Sequence, residues 1–138
     1  QRDTGRFRVT GNIKDLYKFR TPSLRNVELT APYGHSGAYN ELEAVIRHHL
    51  NPVASLHAYK HEYAKLPELK TTRDDWAIMN DADEVKAIAS ANELEPMSLD
   101  DSEVQALLSF MHALTDSGSQ AGRLGVPATV PSGIPISH

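Results

Sequence analysis

YKFRTPSLRNVELTAPYGHSGAYNELEAVIRHHL, residues Tyr17–Leu50, moves from loop to helix within one stretch. Up to Ala38 its Pro, Gly, Thr and Asn break every sustained period, so this part reads as ordered loop. Asn40 followed by Glu43 has the spacing of an N-cap and N3 pair, and Leu42, Val45, Ile46 and His49 follow at i, i+3, i+4 and i+7. The spacing predicts a helix near 41–50. With Leu42 at zero and about 100° per residue, Val45 falls near 300°, Ile46 near 40° and His49 near 340°. His49 is therefore expected on the buried stripe, and its neighbour His48 off it. A ring nitrogen buried there needs a polar partner. A core histidine bonded to a backbone carbonyl meets that need, and so does a metal ligand.

Working outward, Gln1–Ala38 is loop-like throughout. Asn51-Pro52 ends the first helix or opens another, and Val53–Ala77, interrupted by Pro67, predicts only short helical turns. Asp81 with Glu84 predicts a helix near 82–92 carrying Val85, Ile88 and Ala89 on one side. Ser98 with Asp101 opens a third, roughly 99–115, on Val104, Leu107, Leu108, Met111 and Leu114. From Asp116 the chain turns Ser-, Gly- and Pro-rich. Val126, Val130, Ile134 and Ile136 stand among prolines there, so 116–138 is expected as an extended tail.

The composition is ordinary for a globular chain of 138 residues, with 40% hydrophobic and 23% charged residues, so one domain or a piece of one is the default. A net charge of −4 gives no electrostatic ground for nucleic acid as a partner. No apolar run reaches the roughly 20 residues of a membrane span. There is no cysteine, hence no disulfide or thiolate metal site within the chain. The start, Gln1-Arg2-Asp3-Thr4-Gly5, reads as that of a mature or cleaved fragment.

Pro32-Tyr33-Gly34-His35-Ser36-Gly37, the Arg20-Thr21-Pro22-Ser23-Leu24-Arg25-Asn26 run before it, and the closing Ala113-Leu114-Thr115-Asp116 resemble the second-haem segment of the bacterial di-haem cytochrome c peroxidases. The resemblance implies that residues 1–115 are the C-terminal portion of a mainly α, cytochrome c-like haem domain. It also implies a periplasmic location and two c-type haems. The family attaches each haem through Cys-x-x-Cys-His, so an N-terminal haem-bearing segment or chain is an expected partner. The family's distal ligand to the second haem, usually methionine, lies fourteen residues after the signature histidine. Here that histidine is His35 and the fourteenth residue on is His49.

The same resemblance gives His35 a haem-proximal role, against the alternative of a histidine bonding its own loop. It gives Arg25 a propionate to pair with, against a solvated arginine. It makes the backbone carbonyls of Thr30 and Pro32 ligands to a calcium ion between the haem domains, a hard cation suited to such oxygens. The implied activity is hydrogen-peroxide-dependent oxidation, with electrons from a small redox protein. Oxidation of residues in a protein substrate, as in the methylamine-utilisation branch, is one alternative. Non-catalytic electron transfer and a haem-free interaction module are others. Trp76, Tyr33, Tyr39, Tyr59 and Tyr63 are either redox waypoints or packing. His57 and His61, at i and i+4, are a weak metal-binding pattern.

Overall fold

In a computed structural model of the chain, residues 2–65, 75–121 and 132 are described. Among them are six α-helices and four 3-10 turns, with no strand beyond one antiparallel bridge between Tyr33 and Tyr39. The architecture is mainly α, as expected. The helices are α1 (Phe7–Thr10), α2 (Leu42–Leu50), α3 (Pro52–His57), α4 (Ala82–Ser90), α5 (Asp101–Ala113) and α6 (Ser117–Gln120). Pro67 and the aliphatics Val126, Val130, Ile134 and Ile136 lie outside the described residues.

Helix α2 begins one residue later than the Asn40–Glu43 spacing predicts. Its N-cap is Glu41, in extended backbone, and no side chain caps it. Asn40 is diverted: its amide donates to the Tyr63 carbonyl (2.7 Å), twenty-three residues away. Glu43 pairs with Arg47 at i+4 (2.8 Å) and accepts from Gln105 on α5 (3.0 Å), which ties the two helices side by side. Asn51 closes α2 and opens α3 at once, accepting from the Ala54 N–H (3.1 Å) with Pro52 in the first turn.

Asp81 caps α4 as predicted, through the N–H groups of Asp83 and Glu84. Glu84 does not complete a capping box, however. It is buried, accepts from the Tyr17 hydroxyl (2.6 Å) and pairs with Arg2, so the N-terminal segment is held on α4. Helix α5 is capped by Asp100 rather than Ser98, because Asp100 and Glu103 form the reciprocal box at 2.9 and 2.8 Å. A glutamate at N3 has the reach to return to the cap N–H.

The core is small. Tyr33, Tyr39, Leu42, Ile46 and Val104 are its buried hydrophobic residues, and Val104 alone among them is wholly enclosed. Helix α2 packs on α5 and on α3, α3 on α4, and α5 on the 3-10 turn Val27–Leu29. Val9, Ile13, Met97 and Phe110 are each more than half exposed.

The expected extended tail begins instead with the turn α6, because Asp116 caps it, accepting from the Ser119 N–H (2.7 Å) and hydroxyl (2.7 Å). Asn26, in left-handed backbone at φ 56°, latches this end to the opening loop. Its N–H donates to the Leu114 carbonyl (3.1 Å), its side-chain oxygen accepts from Asp116 N–H (3.0 Å), and its amide donates to Ser119 (2.8 Å). Asn26→Ala loses the two side-chain bonds and the tolerance for left-handed backbone, so it is expected to cost about 2–3 kcal/mol in urea denaturation. Hydrogen bonds from Ser119, then from Asn26, and the Arg25 charge hold the Asp116 carboxyl down at about 2, against 3.8 ordinarily. A depressed folded-state value stabilises above the ordinary one and is lost as pH falls. The latch contribution should therefore fade between pH 3.8 and about 2, and proton uptake on acid unfolding checks this.

Candidate functional site

The loop from Leu29 to Tyr39 is shaped by three residues in left-handed backbone, Gly34, Ser36 and Gly37, and by a cis Ala31–Pro32 peptide. It closes where Tyr33 N–H donates to Tyr39 O (2.6 Å) and Tyr39 N–H to Tyr33 O (3.0 Å). Gly37 packs on Pro32, where an added Cβ would stand 2.8 Å from the ring. The Tyr33 hydroxyl donates to the Glu28 carbonyl (3.1 Å), and burial, then the charges of Glu28 and Glu41, push its pKa up. The carbonyls of Thr30 and Pro32 accept no hydrogen bond from any described residue. His35 lies on the side of this loop facing the N-terminal segment. Its Nε2 is 3.2 Å from Asp3, and its ring lies against Phe19 at 4.0 Å between centroids.

The two adjacent histidines differ in the opposite sense to the helical wheel. His49 is exposed, which corrects the expectation that it is buried on the Leu42 stripe. The helical phase is sound, but on that stripe the described residues bury Leu42 and Ile46 and leave His49 exposed. His49 Nδ1–H donates to the Val45 carbonyl one turn back (2.7 Å), and Nε2 has no partner among the described residues. His48 is half buried. Its Nδ1 stands 3.1 Å from the Tyr39 hydroxyl and 3.0 Å from the Ser55 hydroxyl, which are themselves 3.0 Å apart. Burial, then the charge of His49, pushes the His48 pKa below its usual 6.5. Sequence reasoning missed Ser55 and this triangle, since only the tertiary approach of α3 to the loop brings the three together.

Arg25 is largely exposed and its guanidinium faces Asp116 at 3.2 Å. Thus Arg25, the loop that carries both His35 and the Thr30 and Pro32 carbonyls, and His49 sit on three separate supports, and among the described residues no hydrogen bond or ion pair joins one support's site residues to another's. His57 ends α3, while His61 stacks on Trp76 at 4.0 Å. Among the described residues no group of three acidic, His or Cys side chains is arranged to hold a metal. A histidine with Nδ1 bonded to a carbonyl and Nε2 open does fit an axial haem ligand, because that bond selects the tautomer whose other nitrogen can donate to iron.

Comparisons with known proteins give partial matches. Over 44 residues the chain is 52% identical to cytochrome-c peroxidase IdrP1 of Pseudomonas sp. strain SCT, covering 32% of this chain and 12% of that protein. Over 44 residues it is 54% identical to cytochrome c551 peroxidase of Pseudomonas aeruginosa, 32% of this chain and 13% of that protein. A longer match, 30% identical over 99 residues, is to the methylamine utilization protein MauG of Paracoccus denitrificans, covering 72% of this chain and 23% of MauG. No family model matches, and no solved structure does. The chain thus spans less than a quarter of the length of these relatives. By these matches it belongs with the bacterial di-haem cytochrome c peroxidases, MauG among them, as the counterpart of one part of those proteins.

Proposed function

We propose that this chain is the portion of a periplasmic, peroxide-using di-haem oxidoreductase that supplies His49 as the distal axial ligand of the second haem. The observation that carries the reading is the pairing of an exposed His49 ring with an Nδ1–H held on Val45, which leaves Nε2 directed away from the helix backbone. His48, whose Nδ1 is engaged by Tyr39 and Ser55, is the poorer candidate. The peroxide chemistry would be supplied by the other haem, held outside this chain, and the second haem, when bound, would relay electrons one at a time. Its Cys-x-x-Cys-His attachment comes from a haem-bearing segment or partner chain, because no cysteine stands here.

The other residues follow from the same reading. Residues 1–115 form the C-terminal portion of a cytochrome c-like haem domain, and 116–138 are a tail. His35 lies near the haem, and Arg25 exchanges Asp116 for a propionate. The carbonyls of Thr30 and Pro32, which accept no hydrogen bond from the described residues, suit a calcium ion that couples this loop to the other haem domain. Electrons come from a small redox protein. Oxidation of residues in a protein substrate is a second reading, favoured by the match to MauG, which spans more of this chain than either peroxidase match above.

Steady-state peroxide consumption by the haem-loaded protein tests the activity, and a haem spectrum without peroxide turnover would favour a carrier. Chelation of calcium is expected to lower both turnover and thermal stability. Equal values in calcium-free and calcium-loaded protein would remove the proposed ion.

A further inference from the structure

Five rings, from His49 through His48, Tyr39 and Tyr59 to Tyr63, follow one another in contact. The centroids of His49 and His48 are 5.4 Å apart, those of His48 and Tyr39 5.3 Å, and those of Tyr39 and Tyr59 and of Tyr59 and Tyr63 5.6 Å each. Three of these four contacts are edge-on, an arrangement favoured by ring quadrupoles. Tyr39 is buried, whereas Tyr63 at the far end is 43% exposed. The path is held in place at intermediate points. Tyr39 bonds to His48 and Ser55, the Tyr59 hydroxyl donates to the Ala38 carbonyl (2.7 Å), and the Tyr63 carbonyl accepts from Asn40.

Three of these rings, Tyr39, His48 and Tyr63, border a cavity of about 690 Å³ whose lining also includes Ala44, Ala54 and Ala58. This is the volume of a small-molecule site, roughly 300–1,000 Å³. The alanines add apolar surface to the lining against which an aromatic ring can pack, and the Tyr39–His48–Ser55 triangle offers hydroxyl and imidazole groups to a phenolic O–H. At the rim Arg47 and Lys65 are offset by Glu41 and Glu62, so the cavity selects neither strong anions nor strong cations.

We propose that this cavity is a site for small phenolic reductants and that Tyr63, through the ring path, passes their electrons toward the haem held at His49. The inference rests on the haem-ligand reading of His49 given above. Tyr63 would lose one electron along the path toward the haem at His49 and on to hydrogen peroxide at the other haem, and its phenolic proton to water. A phenol in the cavity then gives Tyr63 one electron and one proton, restoring the tyrosine and leaving as a phenoxyl radical. Two such turns return the two electrons taken when one peroxide is reduced, with two protons, to two waters.

The test uses the complete haem-loaded protein, guaiacol as the phenol, and three variants, Tyr63→Phe, Tyr59→Leu and Tyr59→Phe. Both Tyr59 variants lose the bond to Ala38, but only phenylalanine keeps a ring in the path. With peroxide and a nitrone radical trap but no phenol, mass spectrometry should find the trap on Tyr63 in the parent and in Tyr59→Phe. In Tyr59→Leu the yield should fall about tenfold or more, and guaiacol oxidation should fall with it, and likewise in Tyr63→Phe. If the haem spectrum and peroxide consumption persist while trapping and guaiacol rates are alike in Tyr59→Leu and Tyr59→Phe, the relay is overturned and the haem reading stands. If no haem or peroxide chemistry is present, both are overturned. Should Tyr59→Leu fail to fold, an unchanged guaiacol rate in Tyr63→Phe overturns the relay by itself.

Discussion

His49→Met is expected to leave the second haem six-coordinate and low-spin while raising its reduction potential. Imidazole donates more strongly to Fe(III) than a thioether does, so replacing it shifts the balance toward Fe(II). The rise should be a sizeable fraction of the roughly 0.8 V over which axial ligands set haem potentials. Helix α2 tolerates the change because position 49 is exposed and methionine is a good helix former. The lost bond is a local one, from Nδ1 to Val45 one turn back. Spectroelectrochemical titration gives the potential, and the weak near-infrared band of methionine–iron ligation identifies the new ligand. An unchanged potential would mean that position 49 does not face the iron.

The second large effect is expected in the loop that carries His35. Gly37 has a φ of 71°, and a Cβ there would lie 2.8 Å from Pro32 Cγ and 3.1 Å from Cβ. Neither contact is with the end of a flexible chain, since the proline ring is fixed to its own backbone. Gly37→Ala therefore combines left-handed strain with a clash and should cost about 2–4 kcal/mol. Relief requires Pro32 to move, which disturbs the Tyr33–Tyr39 bridge and the buried rings of both tyrosines. Denaturant melts of the parent and the variant measure the loss. Gly11→Ala is the control, because φ is positive there too but nothing stands within 4 Å of the added Cβ. It should cost only the backbone strain.

How far the sequence carries this account depends on whether the deciding partner is local. The helices at 42–50, 82–90 and 101–113 follow from apolar spacing and acidic starts, and each lies within two residues of its expected bounds. Their caps are less legible. Asn40 is claimed by Tyr63 and Glu84 by Tyr17 and Arg2, partners between twenty-three and eighty-two residues distant that no local window contains. The helical wheel places His49 in phase with Leu42 and Ile46, yet phase says nothing about what covers each turn. Of these three, the described residues enclose Leu42 and Ile46 but not His49. Arg25 looks solvated in sequence, and its ion pair with Asp116 exists only because Asn26 brings the end of α5 against the opening loop. The His48–Tyr39–Ser55 triangle is illegible for the same reason, since a serine sixteen residues after a tyrosine carries no signal.

The most direct measurement compares the ferric spectra of His48→Ala and His49→Ala in the haem-loaded protein. His49→Ala removes the proposed ligand and should convert the second haem from low-spin to high-spin, visible in the Soret region and by electron paramagnetic resonance. His48→Ala breaks the contacts to Tyr39 and Ser55 but leaves His49 anchored on Val45, so the low-spin signal should remain. A low-spin haem that survives His49→Ala and is lost in His48→Ala would contradict the account and pass the ligand role to His48.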